Sequence, residues 1–161
     1  MPNWCHNTLT VTGEDELVAA LVKKAEKGQP LSFEQFVSQT KSRADWYSWR
    51  LKHWGTKWDA SFGKAGIGLS HEDGVDMEAT TEAQGMTHVP GVVIWKFDTA
   101  WSPPIPIVKA MSEQHPNLEF VLRFGEVGHD FAGEIKYVDG ILISEEELEV
   151  NEVLAPEEMW Y

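Results

Sequence analysis

An α+β domain is the fold this sequence predicts, one antiparallel sheet with its helices on a single face. Three observations carry that prediction. Strand-like alternation recurs in the stretches 7–13, 92–101, 118–124 and 131–143. Two apolar stripes at helical spacing lie between them: Leu17, Val18, Leu21, Val22 and Ala25, then Ile107, Val108, Ala110 and Met111. With a further strand through Trp58, Ala60 and Phe62, the order becomes strand, helix, strand, strand, helix, strand. That is the ferredoxin-like order. It carries an inserted, Trp-rich helical segment at about 30–56 and an appended C-terminal hairpin.

On the first strand Leu9 and Val11 point one way and Thr8, Thr10 and Thr12 the other. Gly13 and Glu14 open a helix. Lys23, Lys24 and Lys27 suit its negative pole, and Gly28 with Pro30 ends it. Ser32-Phe33-Glu34-Gln35 matches a capping box, which predicts a short helix packing Phe33 and Phe36. Asp45 caps another short helix through Trp54, stopped by Gly55. Trp46, Trp49, Arg50, His53 and Trp54 share one side of it. Asp73-Gly74 predicts a hairpin turn between 67–70 and 75–79, and 82–86 reads as an exposed loop.

The central strand follows, with Val93, Trp95, Phe97 and Trp101 on one face, and Ser102-Pro103-Pro104 stops it. Pro106 takes a first-turn helical position and Pro116 closes that helix. Leu118, Phe120, Leu122 and Phe124 alternate, as do Phe131, Ile135 and Tyr137, with a turn at 125–130 between them. Asp139-Gly140 is a two-residue turn into 141–143. Ser144 with Glu147 predicts the cap of a last, weak helix. Residues 1–143 thus read as a single domain and 144–161 as an acidic tail.

A chain of 161 residues with 42% apolar content suffices for one core. No apolar run approaches the roughly 20 residues that span a bilayer. The start of the chain shows no basic-then-apolar leader, so a cytoplasmic protein is expected. A single cysteine, Cys5, rules out an internal disulfide and a multi-cysteine metal site. The formal net charge is −13, which repels nucleic acid and anionic membranes. The charge is uneven. Residues 41–64 carry six basic side chains against two acids. Beyond Lys136 there is no basic residue, while Asp139 and seven glutamates follow.

Four stretches resemble a known family. They are Met1-Pro2-Asn3-Trp4-Cys5-His6-Asn7, Trp54-Gly55-Thr56-Lys57-Trp58-Asp59, Phe97-Asp98-Thr99-Ala100-Trp101-Ser102-Pro103-Pro104, and Gly125-Glu126 with Phe131-Ala132-Gly133. Together they resemble the YubB ferredoxin-like family of phage, plasmid and genomic-island proteins. The resemblance spans most of residues 1–138 and omits the acidic tail. It implies a ferredoxin-like domain of mobile-element origin in a bacterial cytoplasm. It implies no catalytic residue.

Four features invite chemistry. Cys5 and His6 are adjacent on a strand, so they point to opposite faces and do not share a metal. His53, His71, His88, His115 and His129 show no ligand spacing. No cofactor and no metal are expected. Glu126, His129 and Asp130 would supply an acid–base group at a strand end, although a polar turn accounts for them more simply. Asp98 lies opposite Trp95 and is expected to pair near Lys96 or with Arg123. The tryptophans cluster in the basic middle, as a single-strand groove requires, yet large aromatics are mostly core. An RNA-recognition sheet is excluded, because the open face carries Thr8, Thr10, Thr12, Lys96, Asp98 and Arg123 instead of rings. In the tail, Leu148, Val150, Val153, Leu154, Met159, Trp160 and Tyr161 interleave with the acids, as docking requires and solubility does not.

The sequence therefore points first to a non-enzymatic mobile-element accessory protein. Its acidic surface and tail bind a host or element-encoded protein, with the acids standing in for nucleic-acid charge at a basic site. Glu145, Glu146, Glu147, Glu157, Glu158 and Trp160 are the expected contacts. The alternative is a single-stranded nucleic-acid binder using Arg50, Lys52, Lys57 and Trp54. An enzyme built on Glu126, His129 and Asp130 is the weakest reading. No membrane partner is expected.

Overall fold

The computed structural model of the chain describes residues 3–39, 45–62 and 85–154. β1 (Trp4–Thr12) leads into α1 (Asp15–Ala25), a 3-10 turn (Phe33–Gln35) and α2 (Trp46–His53). β2 (Met86–Val89) and β3 (Val92–Ala100) form a hairpin, and α3 (Ile105–Gln114) follows. β4 (Glu119–Glu126), β5 (Phe131–Val138) and β6 (Ile141–Leu148) then meander into a single turn, α4 (Val150–Val153). The strands form one sheet in the order β2-β3-β1-β4-β5-β6, antiparallel throughout. Its first four positions are the ferredoxin-like order, and β5–β6 is the appended hairpin.

The alternation in the sequence becomes the two faces of this sheet. On β1 Cys5, Asn7, Leu9 and Val11 are buried, while the residues between them lie on the opposite, half-open face. Val93, Trp95, Phe97, Phe120, Leu122, Ile135 and Tyr137 extend the buried side. Val18 and Leu21 of α1 and Ile107, Val108 and Met111 of α3 close over it. The inserted segment seals the remaining gap. Phe33 meets Phe97 edge-on at 6.0 Å and Trp54 at 5.8 Å. Trp95 Nε1 donates to Pro30 O at 3.1 Å. Gly55 makes the turn out of α2 in the left-handed region (φ 88°), and a side chain there would strike Pro106.

Three details depart from the sequence reading. The strand beside β3 is β2, which begins at the last residue of the expected 82–86 loop, in a stretch where no strand was expected. Trp58, Ala60 and Phe62 do not form a strand, and Ser61 alone bridges to Asp98. The two segments divide the edge of β3 between them, because β2 covers only Val92–Trp95 of that nine-residue strand. The predicted hairpin around Asp73-Gly74 lies outside the described residues. The 3-10 turn replaces the expected capping-box helix, since Ser32 Oγ donates to Asp59 and leaves the turn uncapped.

The chain end is also corrected. β6 runs on through Leu148, so residues 144–148 belong to the sheet and the domain does not end at 143. Ladder pairing with β5 overrides the weak cap at Ser144. The capping box forms instead at Glu149 and Glu152, with Glu149 N donating to Glu152 Oε2 at 2.6 Å. α4 packs on the sheet face opposite α1 and α3, where Val150 and Leu154 cover Ala132. Gly125 lies beneath it, where a Cβ would meet Val153 and Leu154 at 3.5 Å, an ordinary contact.

Asp59 ties the inserted segment to the domain. Its carboxylate accepts hydrogen bonds from Ser32 Oγ (2.8 Å), Phe33 N (2.7 Å) and Ala60 N (2.7 Å). Burial pushes this carboxyl above its ordinary value, and those donors pull it partly back. The folded chain thus holds the Asp59 proton more tightly than the unfolded chain does. Its contribution to stability is full below the ordinary aspartate value, about 3.9, and is lost as pH rises through the raised value. In urea titrations the wild type is expected to gain on Asp59→Asn as pH falls from about 7 to about 4. A flat difference, or one of opposite slope, contradicts the raised carboxyl.

Candidate functional site

β6 is an edge strand, and seven of its eight residues are exposed. Ile141, Leu142 and Ile143 are 61%, 46% and 53% accessible, unusual values for three consecutive apolar residues. Glu145, Glu146 and Glu147 follow them along the strand. Glu145 and Glu147 lie opposite Ile135 and Gly133, whereas Glu146 lies opposite Glu134 on the other face. The register slips by one residue between Lys136 and Tyr137, so Ile143 bulges out of the ladder. Nearby cations are already engaged: Arg123 holds Glu134 at 3.0 Å and Lys136 holds Glu119 at 3.3 Å. Among the described residues no ion pair neutralises Glu145, Glu146 or Glu147. Burial, together with the charge of Glu145, pushes the Tyr137 hydroxyl above its ordinary value.

Three of the six expected protein-binding residues are therefore brought together on one strand. Glu157, Glu158 and Trp160 lie outside the described residues. The sequence reading missed Ile141, Leu142 and Ile143 as surface residues. Alternation marks a strand but does not reveal how much of it stays exposed.

The expected nucleic-acid set divides. Trp54 is a core residue, 1% accessible, with its indole Nε1 donating to Val37 O at 2.9 Å, so it cannot stack on a base. Arg50 is committed within the insertion. Its guanidinium donates to Gln39 Oε1 (3.0 Å) and Lys57 O (3.2 Å) and lies over the rings of Trp54 and Trp46. Lys52 is exposed. Lys57 sits 4.4 Å above the Trp58 ring, which is 38% accessible. Trp46 and Tyr47 are also exposed, on α2, with Arg50 over the Trp46 ring.

The third candidate lies at the sheet end where the four motif stretches meet. Trp101 N donates to Asn3 O at 2.8 Å, and the Trp4 and Trp58 rings lie 5.9 Å apart. Thr56 Oγ1 donates to Ala100 O at 2.9 Å and Ser102 Oγ to Gly55 O at 2.6 Å. Trp101 was expected in the core face of the central strand. It instead leaves the end of β3 with φ 70°, 43% accessible, because its backbone turns toward Asn3. Beneath it Asn7 Nδ2 donates to Thr99 Oγ1 at 2.9 Å, and Thr99 Oγ1 donates to Ser102 O at 2.6 Å.

Glu126 is fully buried here. One of its oxygens bonds His129 Nδ1, and Oε1 has no hydrogen-bond partner among the described residues. The His129 ring lies 6.0 Å from that of Trp101. Asp130 sits exposed at a left-handed turn position, and among the described residues no side-chain contact ties it to Glu126 or His129, so the expected trio is only a pair. Burial and then the charge of Glu126 push the Cys5 thiol far above its ordinary value, which keeps it inert. Asp98 pairs with His6 at 2.6 Å on the open face, and neither Lys96 nor Arg123 is its partner. Among the described residues no group of three His, Cys, Asp or Glu is placed to hold a metal ion.

Residues 76–158 match the family model described as the ferredoxin-like domain in Api92-like protein, just over half of the chain. The chain belongs to this family. The crystal structure of the protein Api92 from Yersinia pseudotuberculosis is similar in fold, with a TM-score of 0.50 and 12% identity. That match covers 92% of this chain and 98% of Api92. No curated protein matches the chain by sequence. Among the described residues no helix is long and apolar enough to cross a membrane.

The Glu126–His129 contact reads as a structural clasp in which the exposed His129 ring is the hydrogen-bond partner of a buried acid. His129→Ala takes that partner away and is expected to cost about 1–3 kcal/mol in urea unfolding. Adding Glu126→Gln replaces the acid by a neutral amide and should restore part of the loss. A double variant less stable than His129→Ala alone contradicts the clasp.

Proposed function

We propose that this protein is a non-enzymatic binding module whose acidic β6 surface engages a cationic site on another protein. The observation that supports it most is the stretch Glu145–147, solvent-exposed and without an ion-pair partner among the described residues. Those three charges sit on a fixed strand, so their spacing is set before any partner arrives. A net charge of −13 adds long-range attraction for a basic partner and repulsion for phosphate backbones. A nucleic-acid-binding protein presents such a basic site, and the glutamates then stand where phosphates would. The YubB-like motifs supply the setting of this proposal, a mobile element acting in a bacterial cytoplasm.

A fluorescent peptide rich in lysine and arginine is the first probe, with a glutamate-rich peptide of equal length as control. The cationic peptide is expected to bind, more weakly as salt rises. Replacing Glu145, Glu146 and Glu147 together by Gln should weaken binding about tenfold or more. Equal affinity of the triple variant removes the acidic surface from consideration.

A second reading, single-stranded nucleic-acid binding, is supported by Lys57 over the exposed Trp58 ring and by Trp46, Tyr47 and Lys52 on α2. It predicts salt-sensitive quenching of tryptophan fluorescence by single-stranded DNA, lost in a Trp46→Ala, Trp58→Ala variant. Unquenched emission at low salt dismisses it.

A further inference from the structure

The geometry points to β-strand addition: the outer edge of β6 takes up an extended segment of a partner protein carrying apolar residues at one end and lysine or arginine at the other. This inference rests on the protein-binding reading above and specifies how that binding is made.

The backbone carries the argument. β6 closes the sheet, so alternate N–H and C=O groups along its eight residues face away from β5. The opposite edge, β2, offers only four residues. An incoming strand satisfies the outward groups of β6 with main-chain hydrogen bonds, and the side chains decide which strand is accepted. On β6 the apolar residues Ile141, Leu142 and Ile143 precede Glu145, Glu146 and Glu147. An antiparallel partner therefore reads basic residues first and β-branched residues afterwards, setting cations against glutamates and apolar side chains against Ile141–143.

A second copy of this chain is the wrong occupant. Full antiparallel overlap of two β6 strands sets glutamates against the apolar residues of the other copy, and it joins two molecules of charge −13. Glutamates on an edge also discourage pairing in general. On β6 that discouragement is selective, because an opposing lysine or arginine converts each repulsive position into an attractive one.

The test uses the full chain and three labelled peptides of sequence Lys-Arg-Lys-Thr-Val-Ile-Val, one unmodified and two N-methylated at alternate residues, one in each of the two possible phases. Methylation removes main-chain donors and keeps every charge. Strand addition predicts that one methylated phase binds at least tenfold more weakly than the unmodified peptide while the other keeps its affinity. It further predicts slowed hydrogen exchange at the outward amides of β6 in the complex. Equal binding by all three peptides, lost in the Glu145→Gln, Glu146→Gln, Glu147→Gln variant, overturns strand addition and leaves charge-driven binding in place. No binding by any peptide overturns both. Self-association of the triple variant with no loss of peptide affinity assigns the glutamates to guarding the edge and also overturns the inference.

Discussion

The double-sided pairing of β1 is the constraint on which the rest of the structure depends. Every residue of this strand faces a partner on β3, and seven of the nine also face one on β4. Side chains alternate strictly, so a slip of one residue would turn Leu9 and Val11 to the open face. With β1 fixed, Trp95 and Leu122 flank Leu9 on either side. α1, α3 and the inserted rings then close over a surface whose register is already decided.

The same strand places polar groups where an apolar core would be expected. Asn7 lies on the buried face, and its amide binds Thr99 as well as the carbonyls of Cys5 and Phe97. Thr99 passes the link to Ser102, and Ser102 to Gly55. A buried chain of this kind adds to a fold only when each member finds a partner, and it then specifies one arrangement. The arrangement here joins three stretches that lie far apart in sequence, 1–7, 54–59 and 97–104. Their tryptophans, glycines and prolines make sense as parts of one joint, which separates them from the acidic edge at which binding is proposed.

Much of the architecture was legible because it depends on period. Leu9 and Val11, Phe120 and Leu122, and Val18, Leu21 and Ala25 of the α1 stripe all follow from spacing alone, whereas Leu17 of that stripe is exposed. β2 was not legible, since Met86–Val89 is short, mostly exposed and without alternation. Ser144 to Glu147 misled because a capping signal is local while strand pairing is a tertiary choice. The fate of the tryptophans required the structure: Trp54 and Trp58 sit four residues apart, yet one is core and the other accessible. Glu145, Glu146 and Glu147 were legible as charge, whereas the open edge that gives them meaning depends on which strand ends the sheet.

The divided edge of β3 brings two positions that are distant in sequence onto one strand. Ser61 is anchored opposite Asp98 and Gly85 O receives Lys96 N at 2.6 Å, so the two anchors meet β3 within two residues of each other. The entropy of closing a loop grows only with the logarithm of its length. Bringing Ser61 and Gly85 together on β3 therefore depends mainly on the two anchors and only weakly on how many residues separate them.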